Sequence, residues 1–414
     1  MYIVVAIVFL SILVLVHEAG HMWVARIFRI GVPVFSVGMG PPLWKKKKGE
    51  TEYRISAFLF GGYVKLKGMD PHERHDEDSF YSKSPWARMA VVLSGPFANF
   101  LLGFLIYFLI FSIKGIETPG TTKIGKVEAS DFMPGDSIVE VDGKVPHNFW
   151  EVERWIKKGS RVLVWRKGRV ETLRVKNKGK IYPFLLPVVD EIAPSSPAEH
   201  AGIQSGDTVL FINGVRISSW YDLQEFVRKS PGETLEIVVK GKERRVLTAV
   251  PDTQRIVEDG EIKVIGLLGI TAQSHPVYLK VSLPLAFVLA GEKFVDIVKT
   301  IGIVLSNLGR KIPAEEIGGP ISIVVMTRKG MMYGISGVFG LMAFISINLG
   351  FVNLLPVLPL DGAHFLFALF EVITRKRLPE KALRIIEQVG VILLLLLIIF
   401  VLRNDILRLL KGKF

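Results

Sequence analysis

The sequence predicts a polytopic α-helical membrane protein with four transmembrane helices, a membrane-associated β-hairpin element and a β-rich α+β extramembrane insert. Three observations carry this expectation. Half of the 414 residues are hydrophobic and the mean hydropathy is +0.39, high for a soluble enzyme and far from a disordered chain. The apolar residues collect in a few long uncharged runs. Between the second and third of these lies a polar stretch that repeats itself. Cysteine is absent, which excludes disulfides, a thiolate nucleophile, cysteine-bound zinc and iron–sulfur clusters. A metal site has to use His, Asp, Glu and water. The net charge of +13 suits an anionic partner, and lipid headgroups account for it without any nucleic acid.

The first span, 1–28, opens with Met1 to Val16, which carry no charge, and its apolar pattern resumes after His17, Glu18 and His21. It lacks a basic leading segment and a small-residue cleavage site, so it reads as a span and not as a cleaved signal peptide. A loop follows over 29–88. The second span, 89–113, is an uncharged run of 25 residues, long enough for ~30 Å of hydrocarbon at ~1.5 Å per residue. The insert occupies 114–180 and 181–268. Over 269–329, Lys280, Glu292, Lys293, Asp296 and Lys299 interrupt apolar helix, as expected of amphipathic helices on a membrane surface. The third span, 330–373, begins with 31 uncharged residues from Gly330 to Leu360. After a loop at 374–384 comes the fourth span, 385–407. Its uncharged run is only 15 residues, extended by Ile385, Ile386, Ile406 and Leu407 while Arg384 and Arg403 reach the interface. Residues 408–414 form a tail.

Orientation follows from the basic residues. Twelve Lys or Arg lie from Arg26 to Arg88, and Arg375, Lys376, Arg377, Lys381 and Arg384 fill the last loop. The positive-inside rule puts both loops in the cytoplasm, and the N-terminus and 114–329 outside, although Arg403, Arg408, Lys411 and Lys413 pull the other way. The run Lys45 to Lys48 suits a solvated loop or contact with anionic lipid.

The insert repeats with an offset of 71 residues: Gly135-Asp136, Ile138 and Val141-Asp142-Gly143 match Gly206-Asp207, Val209 and Ile212-Asn213-Gly214. Trp150, Val152 and Trp155 match Tyr221, Leu223 and Phe226 at the same offset. Each unit reads as a Gly-Asp turn, a strand, a tight hairpin turn, a strand, a helix and two further strands. The stretch from Ser196 to Asp207, followed by Ile212-Asn213-Gly214, resembles a PDZ domain of the bacterial protease type, and the first copy resembles a trimmed one. PDZ domains add a peptide strand beside their own and seat its C-terminal carboxylate in a backbone loop. In the second copy that loop is expected near Leu185 to Val189. The alternative is that one or both copies are spacers with no ligand, a reading that suits the first copy better than the second.

The chemistry is carried by His17-Glu18-Ala19-Gly20-His21. On a helix the two His, four apart, share one face and reach a single ion, with Glu18 beside it to take a proton from a bound water. Ionisable groups inside a membrane span mark function by default. Zinc suits imidazole ligands and lowers the pKa of its water from ~15.7 to ~7. No Asp, Glu or His occurs between His21 and Glu50, so a third ligand has to come from distant sequence. Asp361 is the first carboxylate after the third apolar run, and His364, one helical turn on, competes with it. Asp361 is favoured. Pro356 and Pro359 interrupt helix just before it, which lipid tolerates only where water or protein satisfies the freed carbonyls. Asn353 and Asn99 are polar residues able to line such a cavity or to pair across helices. Residues Glu52 to Leu66, with Gly61-Gly62-Tyr63 in them, read as a hairpin or edge strand.

Together, the H-E-x-x-H of the first span, Ser94-Gly95-Pro96-Phe97-Ala98-Asn99 opening the second and Asn353-Leu354-Leu355-Pro356 through Pro359-Leu360-Asp361-Gly362 in the third resemble the site-two protease family of intramembrane zinc metalloproteases. The family's usual second proline falls here at Leu358, with Pro359 one later, so the path into Asp361 departs from the family pattern. The resemblance implies one zinc ion held by His17, His21 and Asp361, Glu18 as the base that activates water, and Asn353 as a substrate or transition-state contact. It also implies a membrane-associated β-element around Gly61, Gly62 and Tyr63, with Val37 to Gly40 in a second loop, whose free edge pairs with an extended substrate. The implied activity is cleavage of transmembrane segments of single-span proteins, of the anti-sigma-factor or remnant-signal-peptide kind, after a first cut elsewhere, with the PDZ pair controlling access at a bacterial cytoplasmic membrane. A PDZ-bearing membrane scaffold with a structural or vestigial metal site is the alternative, and an intact Glu18 argues against it. A metal transporter is disfavoured because no second metal-binding cluster accompanies the first.

Overall fold

The computed structural model describes residues 2–69, 76–193, 196–258, 261–273, 276–307, 318–332, 334–357 and 359–410. They divide into two compact units, Met1–Lys114 with Val281–Phe414, and Gly115–Lys280. Among the described residues four helices are long and apolar enough to cross a membrane: Ile3–Ile27, Pro85–Ile113, Gly334–Asn353 and Ala382–Leu410. The chain is a polytopic membrane protein.

Helix α1 (Tyr2–Ile27) leads into two long strands, β1 (Val34–Lys48) and β2 (Thr51–Lys65), joined by a tight turn in which Gly49 takes a positive φ of 62°. Irregular register around Gly38 and Gly40 curls this ribbon, so that Val34 to Val37 lie between two pieces of β2, Glu52 to Ile55 on one side and Gly62 to Lys65 on the other. The second piece is thereby an edge, and it runs beside α1. Helix α2 (Pro85–Ile113) begins four residues before the uncharged run, taking in Arg88. Its start is set by Ser84, whose hydroxyl accepts from the Ala87 amide, with Pro85 in the first turn.

In the second unit, β3 (Ile116–Pro119), β4 (Ile124–Glu128), β5 (Ser137–Val141), α3 (Phe149–Trp155), β6 (Arg161–Arg166), β7 (Arg169–Arg174) and β8 (Lys180–Pro183) build the first copy. The second copy has β9 (Val189–Ile192), α4 (Pro197–His200), β10 (Thr208–Ile212), β11 (Val215–Arg216), α5 (Trp220–Arg228), β12 (Leu235–Lys240), β13 (Arg244–Ala249), the hairpin β14 (Asp252–Glu258) and β15 (Glu261–Leu267), and β16 (Ile270–Ala272). The repeat extends to individual side chains. Asp136 and Asp207, both buried, each accept from a turn amide three residues back and from one arginine, Arg166 and Arg245. Asp142 and Asn213 both sit at positive φ and accept from Arg161 and Glu236 amides. Each copy has its own apolar core, around Val152 and Val162 in one and Leu223 and Ile237 in the other.

The expected surface helices over 269–329 begin later than 269. Ile270–Ala272 pairs with β9, and β17 (Pro276–Leu279) pairs with β3. Their β-branched and aromatic residues, Ile270, Thr271, Val277 and Tyr278, suit a pleated ribbon better than a helix. Helix α6 (Leu283–Asn307) and helix α7 (Pro320–Met332) cover part of the remainder, and 308–317 lie outside the described residues. Helix α6 packs on α2, with Phe287 edge-on to Phe104 at 5.0 Å and Phe294 to Phe100 at 5.7 Å. The expected third span is two helices, α8 (Gly334–Asn353) and α9 (Asp361–Thr374), parted by the segment that carries Pro356 and Pro359. Neither proline has an amide hydrogen to continue a helix. Helix α10 (Glu380–Leu410) closes the chain.

Close helix approach rests on glycines, as in membrane bundles generally. A Cβ on Gly20 would meet the Ser94 carbonyl at 2.5 Å, one on Gly103 the Ile347 side chain at 2.6 Å, and one on Gly350 the Pro96 carbonyl at 2.9 Å. In the last span Asp405 is fully buried and its carboxylate accepts from the Gly319, Ile321 and Ser322 amides, capping the start of α7.

Candidate metal centre

Helix α1 puts His17 and His21 one turn apart on the face that meets α2, and both are buried. Gly95 of α2 leaves room for them, since a Cβ there would collide with His21 Nε2 and stand 2.8 Å from His17 Cε1. Asp361 is the first residue of α9, and Gly362 beside it lets the chain pass tightly against the Leu354 carbonyl. These elements bring together three atoms. His17 Nε2 is 3.1 Å and His21 Nε2 3.3 Å from Asp361 Oδ2, and the two Nε2 atoms are 3.2 Å apart. Among the described residues, His17, His21 and Asp361 are the group of ligand-type side chains able to hold a metal ion.

The triangle fits zinc. Four ligands at about 2.0–2.2 Å in a tetrahedron have edges of about 3.3–3.6 Å, close to the spacings found. Asp361 Oδ2 is buried and has no hydrogen-bond partner, so it lacks the compensation that a buried carboxylate requires without a cation. His21 Nδ1 lies 2.8 Å from the Val91 carbonyl, and donation there leaves Nε2 unprotonated and aimed at the triangle. His364, the competing ligand, stands one turn along α9 with its ring edge-on to Phe367 at 6.1 Å and is not in the triangle.

A cavity of about 360 Å³ opens on these atoms. Glu18, Gly61, Gly62, Tyr63, Asn353 and Pro359 line it with the three ligand-type residues. The Val64 amide on the edge of β2 donates to Glu18 Oε2 at 2.9 Å. Asn353 Nδ2 is 3.2 Å from His17 Nε2. Pro356 is not among the lining residues, and Leu358, where the family's proline was expected, lies outside the described residues.

Two neighbours were given no role at the metal by the sequence, although Asn99 was named as able to line a cavity and both lie in the motif that opens the second span. Asn99 Nδ2 lies 3.2 Å from His17 Nδ1, and Gly95 fills its place because nothing larger can. The signal for Asn99 was an uncompensated amide inside an uncharged run. At the segment expected to receive a peptide carboxylate, Leu185 to Val189, the backbone is already engaged. The Leu185, Pro187 and Val188 carbonyls accept from Trp220, Val209 and Gln273 amides, and Val189 exchanges bonds with Gly206 and Asp207. That leaves little there for an added strand.

Comparison with known proteins agrees with this geometry. The sequence model of Peptidase family M50 matches residues 5–397. Protease RseP of Yersinia pestis and the regulator of sigma-E protease RseP of Escherichia coli K12 are each 30% identical, over 97% of this chain and 98% of theirs. A putative zinc metalloprotease of Campylobacter jejuni is 28% identical over 96% of this chain and 91% of its own. The chain belongs to peptidase family M50, the site-two protease family of zinc metalloproteases.

Proposed function

We propose that the chain is an intramembrane endopeptidase that cuts transmembrane segments of single-span membrane proteins, with His17, His21 and Asp361 as the zinc ligands and Glu18 as general base. The observation that carries this reading is the triangle of 3.1–3.3 Å between three ligand atoms at the wall of a cavity that also holds Glu18. Zinc bound there supplies an acidified water and polarises a peptide carbonyl.

The chain's own residues do the rest. Glu18, one oxygen held by the Val64 amide, receives the water's proton on Oε1 and returns it to the leaving amine. Asn353 offers its amide hydrogens to the carbonyl oxygen as charge develops there. A helical substrate hides its scissile bond within its own hydrogen bonds and has to be unwound. The edge from Gly62 to Lys65 offers an extended segment a strand to pair with, alongside Gly61 and Tyr63. Pro356 and Pro359 keep the chain before Asp361 out of a helix, so that water reaches the site.

The two copies in the insert act, in this reading, as tandem PDZ domains that filter substrates until a first cut has been made. Their shared Gly-Asp turns, helices and hairpins support it. The likeness to a regulator of sigma-E protease supports anti-sigma-factor-type substrates, with remnant signal peptides as a second class, in a bacterial cytoplasmic membrane. The basic loops support an active site near the cytoplasmic side, with the insert outside.

The test is Glu18→Gln in purified protein, with zinc content and cleavage of a transmembrane substrate measured together. Retained zinc with lost cleavage is expected. Undiminished cleavage would sink the assignment of Glu18, and a wild-type protein without zinc would sink the metal site.

A further inference from the structure

We infer that Asn99 orients His17 for the metal by accepting a hydrogen bond from its Nδ1, so that α2 sets the direction of both imidazole ligands. The inference rests on the zinc reading given above and extends it to a residue that touches neither substrate nor metal.

The argument starts from protons. His17 turns Nε2 towards Asp361 and His21, at 3.1 and 3.2 Å. A neutral imidazole that ligates through Nε2 carries its hydrogen on Nδ1 and needs an acceptor there. His21 meets this requirement with the Val91 carbonyl at 2.8 Å. For His17 the neighbouring group is the Asn99 side chain, whose Nδ2 lies 3.2 Å from Nδ1. Two N–H donors facing each other form no bond. At the same time Asn99 Oδ1 is buried with no partner, and the whole residue is sealed from solvent. An unpartnered amide oxygen in such a place costs about 1–3 kcal/mol.

One half-turn of the Asn99 amide turns the donor–donor contact into a hydrogen bond. Oδ1 then stands where Nδ2 stood and accepts from His17 Nδ1–H, while Nδ2 takes the buried place that Oδ1 leaves. Asn353 is no substitute. Its Nδ2 lies 3.2 Å from Nε2 and 3.4 Å from Nδ1, nearly equidistant from the two nitrogens and so in line with neither. Asn99 itself is held in register by the Ser346 hydroxyl of α8, which donates to the Asn99 backbone carbonyl at 2.7 Å. Val91 and Asn99 are eight residues apart on one helix, with Gly95 midway making room for the rings. A single element therefore presents an acceptor to each ligand histidine. Partners of this kind are worth 10–100-fold in metal affinity in other zinc sites.

The experiment measures zinc affinity of the purified full-length protein by competition with a chromophoric chelator, for wild type, Asn99→Leu and Asn99→Asp. Leu keeps the volume and has no acceptor; Asp keeps an acceptor and nothing else of the amide. The inference expects zinc bound at least tenfold more weakly by the Leu variant and within about threefold of wild type by the Asp variant. A packing role predicts no such split. Wild-type affinity in the Leu variant, or an equal loss in both, overturns the inference. If Asn99→Leu does not fold, Asn99→Ala replaces it, and equal affinities of the Ala and Asp variants overturn the inference in the same way. Absence of zinc from the wild type overturns the metalloprotease reading instead.

Discussion

Val64 on the edge of β2 donates its amide hydrogen to Glu18 of α1 at 2.9 Å, and so ties the proposed general base to the strand proposed to receive substrate. Successive amides along a strand alternate in direction, so Gly62 shares the outward sense of Val64. Pairing by a substrate strand at Gly62 would therefore occur one repeat away from the carboxylate it must be cut beside.

Gly62→Ala tests that strand. A Cβ there would meet the Ser36 carbonyl at 2.8 Å and the Val14 side chain at 3.3 Å. The edge has to shift, at about 1–3 kcal/mol for overpacking. The expected outcome is a raised KM for a transmembrane substrate with zinc content unchanged, read from steady-state cleavage and metal analysis.

Gly95→Ala acts on the metal and not on the strand. Its methyl group occupies the space of His21 Nε2, so the ring has to leave the triangle. Zinc affinity is expected to fall by about tenfold or more, as for lost ligand orientation elsewhere, while helical content by circular dichroism stays that of wild type.

Asp361→Asn tests the ligand triangle directly. The amide keeps the shape and loses the charge that two imidazole nitrogens face at 3.1–3.3 Å and that a divalent cation would require there. Zinc below one per chain after dialysis is expected. His364→Ala, one turn along the same helix, is expected to retain it.

The ion pair Arg88–Glu371 joins the start of α2 to the far end of α9 at 2.6 Å, and both side chains are largely buried. Removing one partner leaves the other charge without compensation, at about 3–5 kcal/mol. Glu371→Ala should lower the thermal midpoint markedly, and the double variant Arg88→Met with Glu371→Leu should recover much of the loss.

In the insert, the Asn177 and Lys176 amides donate to Asp131 and hold its carboxyl below the ordinary carboxylate range. A pKa depressed by folding gives stability that is present above the unfolded pKa and lost as pH falls through the folded one. Asp131→Asn is thus expected to lower the midpoint of the insert's unfolding at pH 7. The gap to wild type should close as the pH is taken below about 4.

The spacing of His17 and His21 was legible because helical periodicity converts a separation of four into a shared face. The duplication was legible because Gly-Asp and Asp-Gly turns announce themselves locally, down to the paired Asp136 and Asp207. The start of α2 at Pro85 carried a capping signal, Ser84-Pro85, that uncharged length alone overlooks. The bond from Val64 to Glu18 had no such signal, since a backbone amide is the same at every position and only tertiary curl aims it. At Leu185 to Val189 sequence does not say which backbone groups are already paired within the insert, and several of them are. Asp405 reads from sequence as one more charge near a span end, whereas its burial against the start of α7 depends on a partner 86 residues away.

The ligand triangle draws two corners from the first helix and its third from Asp361, near the far end of the chain. A nascent polypeptide holds the histidine pair and Glu18 once α1 has been made, yet has no Asp361 to close the set until α9 follows it. Under the proposed assignment, binding of zinc by all three ligands would have to wait until α9 is in place.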